Sequence, residues 1–347
     1  MKKRVSILMA VYNAEKYLHD SIGSVLGQTS EDWQLVCVDD CSTDNSFSIL
    51  KEYENKDNRI KVLKREENGG PSKARNMALK VADGDYIIIL DSDDWLDSDC
   101  IKNIIDAYEE NPETDIMLLE ERKIFPDGTE KEYDWRYKKN RYEENPDGSF
   151  RVMKGKDAFT ESLSWAIHGL YAAKKWLYDE YKFDESCKYF CEDNLTRLHY
   201  YLANEVRCCK GKYYYRILDG SISRSLDLRR LDHLKANISM KEKLIQIGAD
   251  EESINIYEFE RWKIVVDTYM FYFLNRKTFD KEQRNVCLYS IRNAWRTIEP
   301  QRIGLGNKIK LGYIPFIIRW LPEQICWCLF RADEDIYFTL KKLFGRI

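Results

Sequence analysis

Over residues 5–120, short runs of consecutive apolar residues alternate with stretches in which apolar residues recur every three or four positions. Compact apolar runs, which predict buried strands, occur at 5–9, 35–38, 60–63, 86–90 and 115–120. Between these runs the apolar residues recur every three or four positions, as at Leu18, Ile22 and Val25, and predict helices. This alternation predicts an α/β fold with a mostly parallel sheet and helices on both faces. Ligands of such sheets bind beyond the carboxyl ends of the strands.

The pattern changes twice further along the chain. Residues 125–150 are polar and contain two turn signals, which predict a hairpin or a mobile excursion. Beyond residue 225 the apolar spacing is helical throughout. We therefore expect two domains, one over residues 1–225 and an α-helical C-terminal one over residues 226–347.

Composition narrows the class of protein further. The 347-residue chain has a formal net charge of −4, which provides no overall attraction to nucleic acid. Its ten cysteines are scattered, and Cys187 and Cys191 lack a second pair at zinc-ligand spacing. The basic N-terminus leads into an apolar run that is too short for a signal peptide, so we expect the first strand there. These features predict a cytoplasmic protein with reduced thiols.

Carboxylates gather directly after two of the predicted strands. Asp39 and Asp40 follow the second strand, and Asp91, Asp93 and Asp94 follow the fourth. Because the carboxyl ends of parallel strands meet at one edge of a sheet, we expect these side chains to converge. Like charges this close repel each other, so the second group is either a solvated turn or the holder of a shared cation.

Six segments that carry these and other polar residues occur in a particular order. They are VSILMAVYNAEKYL, LVCVDDCSTDNS, ENGGPSKARNMAL, GDYIIILDSDDWL, CEDNLTRLHY and YYYRILDGSISRS. Together they resemble the family 2 glycosyltransferases, inverting enzymes of the GT-A fold, over residues 4–225. The chain departs from the usual family pattern at Ala10, where proline is common, and at Cys41, where glycine is usual.

The resemblance implies a nucleotide-sugar site at this edge of the sheet. Asp91-Ser92-Asp93 has the form of the family's Asp-x-Asp motif, in which Asp93 would bind Mn²⁺ or Mg²⁺ and Asp91 would contact the ribose or the metal. One carboxylate of the Asp39–Asp40 pair, with Asp39 preferred, would accept from the imide N–H of uracil, so a UDP-linked donor is expected. The alternative for Asp40 is to cap the following helix. The other nucleotide-sugar contacts that the resemblance implies are Tyr12, Asp40, Gly69, Gly70, Arg75, Ser92 and Arg224.

The pair Glu192–Asp193 resembles the family's acceptor-side motif. Asp193 would take the proton of the acceptor hydroxyl, and Glu192 would orient Asp193 or bind acceptor. One carboxylate base without a carboxylate nucleophile implies single displacement with inversion. Taken alone, an acidic pair that opens a helix is more often a favourable partner of the helix dipole. Trp165 and His168 lie where related enzymes shape the acceptor pocket, although a tryptophan is more often a core residue.

The last part of the chain is apolar, aromatic and locally basic. Pro315, Arg319 and Pro322 interrupt any run that could span a membrane. Contact with a membrane surface, packing as a helical subdomain and contact with a second subunit are equally compatible with this composition. The Gln-x-x-Arg-Trp motif of processive family members is absent, since Phe316 stands where glutamine would be. Addition of single sugars is therefore expected.

These features together predict an inverting, metal-dependent, hexosyltransferase-like enzyme. It would move one sugar from a nucleoside-diphosphate donor to a hydroxyl of a glycan or lipid-linked glycan, at the inner face of the cell membrane, in bacterial surface-polysaccharide synthesis. Two alternatives remain open: a nucleotidyltransferase with a similar α/β site, and a non-catalytic protein that binds nucleotide-sugar or glycan.

Overall fold

The computed structural model of the protein describes residues 5–132, 152–186, 188–190, 192–218, 228–304 and 321–345. The chain divides into two compact units, residues 1–221 and 222–347. The domain boundary predicted after residue 225 lies outside the described residues and stays a prediction.

The first unit is built on a ten-stranded sheet. Its strands are β1 (Val5–Val11), β2 (Trp33–Asp39), β3 (Ile60–Lys64), β4 (Tyr86–Ile89), β5 (Trp95–Leu96), β6 (Ile116–Ile124), β7 (Glu130–Glu132), β8 (Met153–Lys154), β9 (Tyr171–Lys174) and β10 (Glu205–Arg216). Its helices are α1 (Leu18–Leu26), α2 (Ser46–Lys56), α3 (Pro71–Leu79), α4 (Cys100–Glu110), α5 (Gly155–Leu163), α6 (Lys175–Glu180) and α7 (Glu192–Leu202). All the strands that the compact apolar runs predicted are present.

The strand order places the predicted site at one edge. The order is β3-β2-β1-β4-β9-β6-β10-β5, with β7 beside β6 and β8 beside β10. The strands from β3 to β4 run parallel, as do β6 and β10, whereas β9 is antiparallel to both of its neighbours. Val11 pairs with Asp39, and Leu8 pairs with Ile89, so β1, β2 and β4 end side by side. The mostly parallel α/β sheet is confirmed, and the loops after these strands leave from one edge.

The core of this unit explains the near-continuous apolar strands. Every residue of β2 is buried, and β1 is buried except at Ala10. Helix α1 adds Leu18, Ile22 and Val25 to the same cluster. Strands covered on both faces need apolar residues at successive positions, which is the pattern that the sequence shows.

The polar segment after β6 begins with a hairpin. β6 pairs antiparallel with β7, and Phe125 N–H donates to the Thr129 carbonyl at the turn. Gly128 has a φ of +81°, a left-handed conformation that glycine adopts without strain. The rest of the predicted excursion, residues 133–151, lies outside the described residues.

The described part of the second unit is helical, as predicted. It contains short 3₁₀ turns at Leu228–Leu231 and Pro300–Arg302, and the helices α8 (Asp232–Gln246), α9 (Glu251–Asn275), α10 (Lys281–Arg296) and α11 (Glu323–Leu343). These elements pack around an aromatic core that includes Trp262, Tyr269, Trp295 and Phe330.

Helix α11 explains part of the apolar composition of the tail. Trp327, Phe330 and Phe338 are buried in the core of the second unit, whereas Ile336 and Leu343 on the same helix are exposed. Across the ranges that the structure describes, no helix is both long enough and apolar enough to cross a bilayer.

Candidate active site

The loops after β1 and β2 are tied to each other. The Asn13 N–H donates to Ser42 Oγ (3.0 Å), and Asn13 Oδ1 accepts from the Thr43 N–H (2.8 Å). Asn13 has a φ of +51°, which asparagine tolerates better than most residues. This arrangement holds the preceding Tyr12 at the edge of the sheet with half of its surface exposed, where its ring is free to stack on a planar ligand.

Asp39 and Asp40 are neighbours with different surroundings. Asp39 is fully buried; its Oδ2 accepts from the Ser42 N–H at 3.3 Å, and its Oδ1 has no hydrogen-bond partner among the described residues. Asp40 accepts from the N–H groups of Gly69 (3.0 Å) and Gly70 (2.7 Å) and pairs with Arg65 (2.8 Å). Asp40 therefore holds the glycine loop in place rather than capping the helix that follows β2, and Asp39 keeps an acceptor to spare.

The glycine loop leads directly into α3. Gly70 has a φ of +86°, and a Cβ there would lie 3.1 Å from the Lys188 carbonyl oxygen. Pro71 begins the helix, a position where the missing N–H costs no hydrogen bond. The predicted nucleotide contacts Gly69 and Gly70 thus lie in a tight turn whose shape depends on Asp40.

Helix α3 places a buried cation beside the Asp-x-Asp turn. Arg75 Nη2 donates to Asp91 Oδ1 at 2.7 Å, and Arg75 Nε is buried without a hydrogen-bond partner in the described part of the chain. The Asp91 side chain is 42% exposed. Asp91 is therefore oriented by Arg75 and still open to a ligand.

The two other carboxylates of the turn differ in role. Asp94 is buried; its Oδ2 accepts from the Tyr213 hydroxyl (2.9 Å), and its Oδ1 accepts from the Arg216 N–H (2.7 Å). Asp94 thus anchors the turn to β10. Burial, followed by repulsion from Asp91, raises the pKa of Asp93 to about 6. Arg216 donates to the Asp93 carbonyl oxygen (2.8 Å) and pairs with Asp20 (2.9 Å).

These carboxylates can hold a divalent cation only together with other ligands. Among the described residues, no three His, Cys, Asp or Glu side chains are grouped to bind a metal by themselves. Mg²⁺ is commonly held by one or two carboxylates together with substrate phosphates and water. Burial and the adjacent charge of Asp91 raise the pKa of Asp93, and Arg216 offsets only part of that shift, so a cation at this turn would favour the ionised form of Asp93. Asp91 and Asp93, with Ser92 between them, therefore fit a cation that a diphosphate would share.

Glu192 and Asp193 open helix α7. Burial, and then the charge of Asp193, raise the pKa of Glu192 to about 7, while Arg75 opposes the shift and Asp91 adds to it. Burial also raises the pKa of Asp193, against the charges of Arg197 and Arg75. Arg75 bonds to Asp91, and its charge opposes the rise in the pKa of both Glu192 and Asp193, so the start of α7 lies near the Asp-x-Asp turn.

The two residues predicted to shape the acceptor pocket lie in different environments. Trp165 follows α5 with a φ of +54° and is 41% exposed, and its ring centroid lies 5.4 Å from the Arg197 guanidinium. His168 is buried, and its Nδ1 accepts from the Leu170 N–H at 3.1 Å. His168 is thus buried and Trp165 partly exposed, and the predicted contact of each with an acceptor stays a prediction.

Two further arginines bear on the site that was predicted from the sequence. Arg224, predicted to contact the nucleotide-sugar, lies outside the described residues. Arg197 was not predicted, although it stands four positions after Asp193 and so shares its helix face. That spacing is the feature of the sequence that could have indicated Arg197 as a site residue.

Part of the chain is similar to a known family of proteins. Residues 6–165 match the family model for glycosyl transferase family 2. The putative teichuronic acid biosynthesis glycosyltransferase TuaG of Bacillus subtilis (strain 168) is 48% identical over 93 residues, 27% of this chain and 37% of TuaG. A poly(ribitol-phosphate) beta-glucosyltransferase of Bacillus spizizenii is 40% identical over 118 residues, 33% of this chain and 18% of that protein. The matches therefore span less than two-fifths of either relative.

A solved structure extends the similarity to the whole chain. The crystal structure of S. aureus TarS 1–349 in complex with UDP-GlcNAc is 20% identical, has a TM-score of 0.70, and aligns over 97% of this chain and 92% of that one. At this identity the match establishes the fold alone. The family model and the relatives thus show that residues 6–165 are similar to the glycosyltransferases of family 2, and the solved structure shows that the chain shares its fold with TarS.

Proposed function

We propose that the protein is an inverting glycosyltransferase that moves one sugar from a UDP-linked donor to a hydroxyl of a glycan or lipid-linked glycan. The observation that carries this proposal is the single site in which Arg75 bonds to Asp91 and acts on the charges of Glu192 and Asp193. Transfer with inversion needs a donor-side group and a base on opposite sides of one sugar ring, and we assign the first role to Asp91 and Asp93 and the second to Asp193.

Recognition of uracil is supported by the spare acceptor of Asp39. An imide N–H would donate to the buried Oδ1, which has no other partner among the described residues. A buried acceptor left without a donor is unfavourable, so a ligand that supplies one gains affinity. The exposed ring of Tyr12 lies on the adjoining loop and suits stacking on a base.

Asp193 is the proposed base. The acceptor hydroxyl would donate its proton to this carboxylate as the hydroxyl oxygen bonds to the anomeric carbon. The bond from that carbon to the phosphate oxygen of the donor breaks in the same step, and UDP leaves with the electron pair. Arg197 and Arg75 favour the ionised form that a base requires, and so offset part of the effect of burial. Glu192 lies next to it with a raised pKa, so its neutral form lowers the repulsion on Asp193. A single displacement of this kind inverts the anomeric centre.

Asp93 and Asp91 are the proposed holders of Mn²⁺ or Mg²⁺. When bound, the cation would neutralise charge on the departing diphosphate. The contribution of the chain is to keep these two side chains in place: Arg75 orients Asp91, and Asp94 fixes the turn through Tyr213 and the backbone of β10.

The proposed setting is bacterial surface-polysaccharide synthesis. It is supported by the names of the relatives, which refer to teichuronic acid biosynthesis and to poly(ribitol-phosphate) glucosylation. Single-sugar addition follows from the absence of the processive motif in the sequence.

The proposed location is the cytoplasmic side of the cell membrane, with peripheral contact through α11. The exposed side chains Ile336, Leu343 and Phe344 lie near Lys341 and Lys342, a combination that suits an anionic lipid surface. Sedimentation with anionic and neutral vesicles tests this contact. A second copy of the chain on the same face would instead appear as a dimer in light scattering.

A donor screen tests the enzyme proposal. The full chain is incubated with UDP-, GDP- and dTDP-sugars, with Mn²⁺ or with EDTA, and release of the nucleoside diphosphate is measured. We expect release from a UDP-sugar that EDTA abolishes and Mn²⁺ restores. Undiminished release in EDTA would contradict the metal proposal. UDP binding without any turnover would indicate a binding protein, and formation of pyrophosphate from UTP and a sugar phosphate would indicate a nucleotidyltransferase.

A further inference from the structure

We infer that Arg197 and Trp165 form a subsite for an anionic group, phosphate or carboxylate, carried by the acceptor. This inference rests on the proposed function, because it places the subsite beside the proposed base. It goes further by naming a chemical class for an acceptor that no sequence motif encodes.

The first observation is a buried charge that forms no ion pair with any residue that the structure describes. Arg197 is 4% exposed, and in the described part of the chain no carboxylate lies within ion-pair distance of its guanidinium. Its Nε is also buried without a hydrogen-bond partner there. Arginine is rarely this buried unless it is paired. Arg75 and Arg261, which are buried to a similar extent, each bond to a carboxylate, Asp91 and Glu258 respectively.

The second observation is the position of the guanidinium between the base and the surface. Asp193 lies one helical turn earlier on α7, and the charge of Arg197 acts on it. The guanidinium also lies 5.4 Å from the centroid of the Trp165 ring, and that residue is 41% exposed. Arg197 therefore has the proposed base on its own helix and a partly exposed aromatic residue beside it.

The backbone of Trp165 supports a role in binding. Its φ of +54° is uncommon for a residue with a large side chain. Such conformations persist where the surrounding structure imposes them, and they are concentrated at ligand sites. Trp165 thus combines an uncommon backbone conformation with partial exposure and a ring that lies beside the guanidinium.

These groups favour a ligand with both an anion and a carbon skeleton. A guanidinium matches phosphate and carboxylate through paired N–H groups, in a way that an ammonium does not. An indole ring provides an apolar face for a sugar or polyol. One helical turn is about 5.4 Å along the axis, so the anion and the reacting hydroxyl would belong to the same or to adjacent units of the acceptor.

A simpler role for Arg197 is to keep Asp193 ionised. That role alone would affect charged and neutral acceptors equally. The anion subsite predicts a difference between them, and this difference is what the experiment measures.

The experiment compares charged and neutral probes on the full chain saturated with UDP, so that the donor site is filled. Affinities are measured by calorimetry for ribitol 5-phosphate against ribitol, and for methyl β-glucuronide against methyl β-glucoside. We expect at least one charged probe to bind the wild-type chain roughly tenfold or more tightly than its neutral partner, as a desolvated charge-assisted hydrogen bond would give. Preference for the phosphate would indicate a phosphodiester acceptor, and preference for the glucuronide would indicate an acidic sugar.

Variants assign the preference to Arg197. R197Q should abolish it, and R197K should keep part of it, because lysine retains the charge but not the paired geometry. R207Q is the matched control, since Arg207 lies on β10 and bonds to Thr114 (3.0 Å); it should leave the preference unchanged. Thermal unfolding and UDP affinity show whether each variant is folded.

The outcomes separate this inference from the proposed function. Equal binding of charged and neutral probes by the wild-type chain would overturn the subsite even if no variant could be made, and so would a preference that survives R197Q. A preference that R197Q removes, in a chain that releases no UDP from any UDP-sugar, would support the subsite and contradict the transferase.

Discussion

Replacement by asparagine should affect one property of the protein at Asp39 and a different property at Asp40. Asp40 Oδ2 accepts from the Gly70 N–H (2.7 Å), Oδ1 accepts from the Gly69 N–H (3.0 Å), and the carboxylate pairs with Arg65. Asp39 has one long hydrogen bond, from the Ser42 N–H at 3.3 Å, and a spare oxygen. We expect D40N to lower stability and D39N to lower UDP affinity.

The expected size of each effect follows from these contacts. In D40N only the amide oxygen can accept a hydrogen bond, so the amide NH₂ group faces a donor that Asp40 formerly accepted from. The Arg65 guanidinium, which is 18% exposed, also loses its counter-charge. Breaking a buried ion pair from one side costs about 3–5 kcal/mol. In D39N the amide oxygen can still accept from Ser42, so the free energy of unfolding should change by less than about 1 kcal/mol. The NH₂ of that amide would then face the uracil imide N–H, and losing the charge-assisted bond should weaken UDP binding by roughly 10- to 100-fold.

Urea unfolding followed by tryptophan fluorescence measures the stability of both variants, and calorimetric titration with UDP measures affinity. Because two units can unfold in separate steps, the comparison uses the transition that UDP shifts. D179N provides a control, since Asp179 forms an exposed i,i+4 pair with Lys175 and should matter little. The reasoning is refuted if D40N is as stable as the wild type, or if D39N binds UDP normally.

Three further predictions concern charge and backbone. Because the pKa of Glu192 is raised to about 7, the folded state binds an extra proton between roughly pH 4.5 and 7, and it loses stability as pH rises through that window. The free energy of unfolding of E192Q, relative to that of the wild type, should therefore increase on the order of 2 kcal/mol from pH 5 to pH 8, as measured by urea unfolding at both values. A difference that stays constant between the two pH values would contradict this. R75M should shift the acid limb of kcat/KM to higher pH, because Arg75 lowers the pKa of Asp193, and an unshifted limb would count against that link. G70A should destabilise the protein by about 1–3 kcal/mol, since Gly70 has a φ of +86° and a Cβ there would approach Lys188. G23A lies in a helix, where a Cβ would meet nothing within 4 Å, and should stabilise the protein by about 0.5–1 kcal/mol. Equal melting temperatures of the two variants would refute this contrast.

The strands of the parallel half of the sheet could be predicted because burial on both faces leaves a direct mark on the sequence. β1 and β2 read as compact apolar runs for that reason. β10 could not be read in this way: Glu205–Arg216 mixes charged and aromatic residues, and its pairing with β6 shifts register between Cys208 and Lys212. β5 and β8 are two residues long, so their pairing depends on tertiary contacts rather than on local preference.

The site was predictable at the level of motifs and less so at the level of single side chains. The sequence could bring Asp91, Asp93 and Asp193 together only through the order of the motifs, and the structure supplies the physical link through Arg75. The difference between Asp39 and Asp40 depends on which one meets the glycine loop, which lies 29 residues away in the chain. Such contacts are decided by tertiary structure.

Burial explains the other two differences. Arg197 was not predicted because an arginine on a helix is usually solvated, and nothing local shows that Trp165 lies beside it. The burial of His168 likewise could not be read from the sequence, because it depends on tertiary packing, and its predicted contact with the acceptor stays a prediction.

The role of Asp193 is the centre of the account, and one comparison tests it most directly. Transfer or hydrolysis of a UDP-sugar is measured for the wild-type chain and for D193N, alongside UDP affinity. We expect D193N to bind UDP as the wild type does and to lose roughly 10²- to 10⁴-fold in kcat, the usual contribution of a general base. An unchanged kcat in D193N would contradict the assignment of Asp193 as the base.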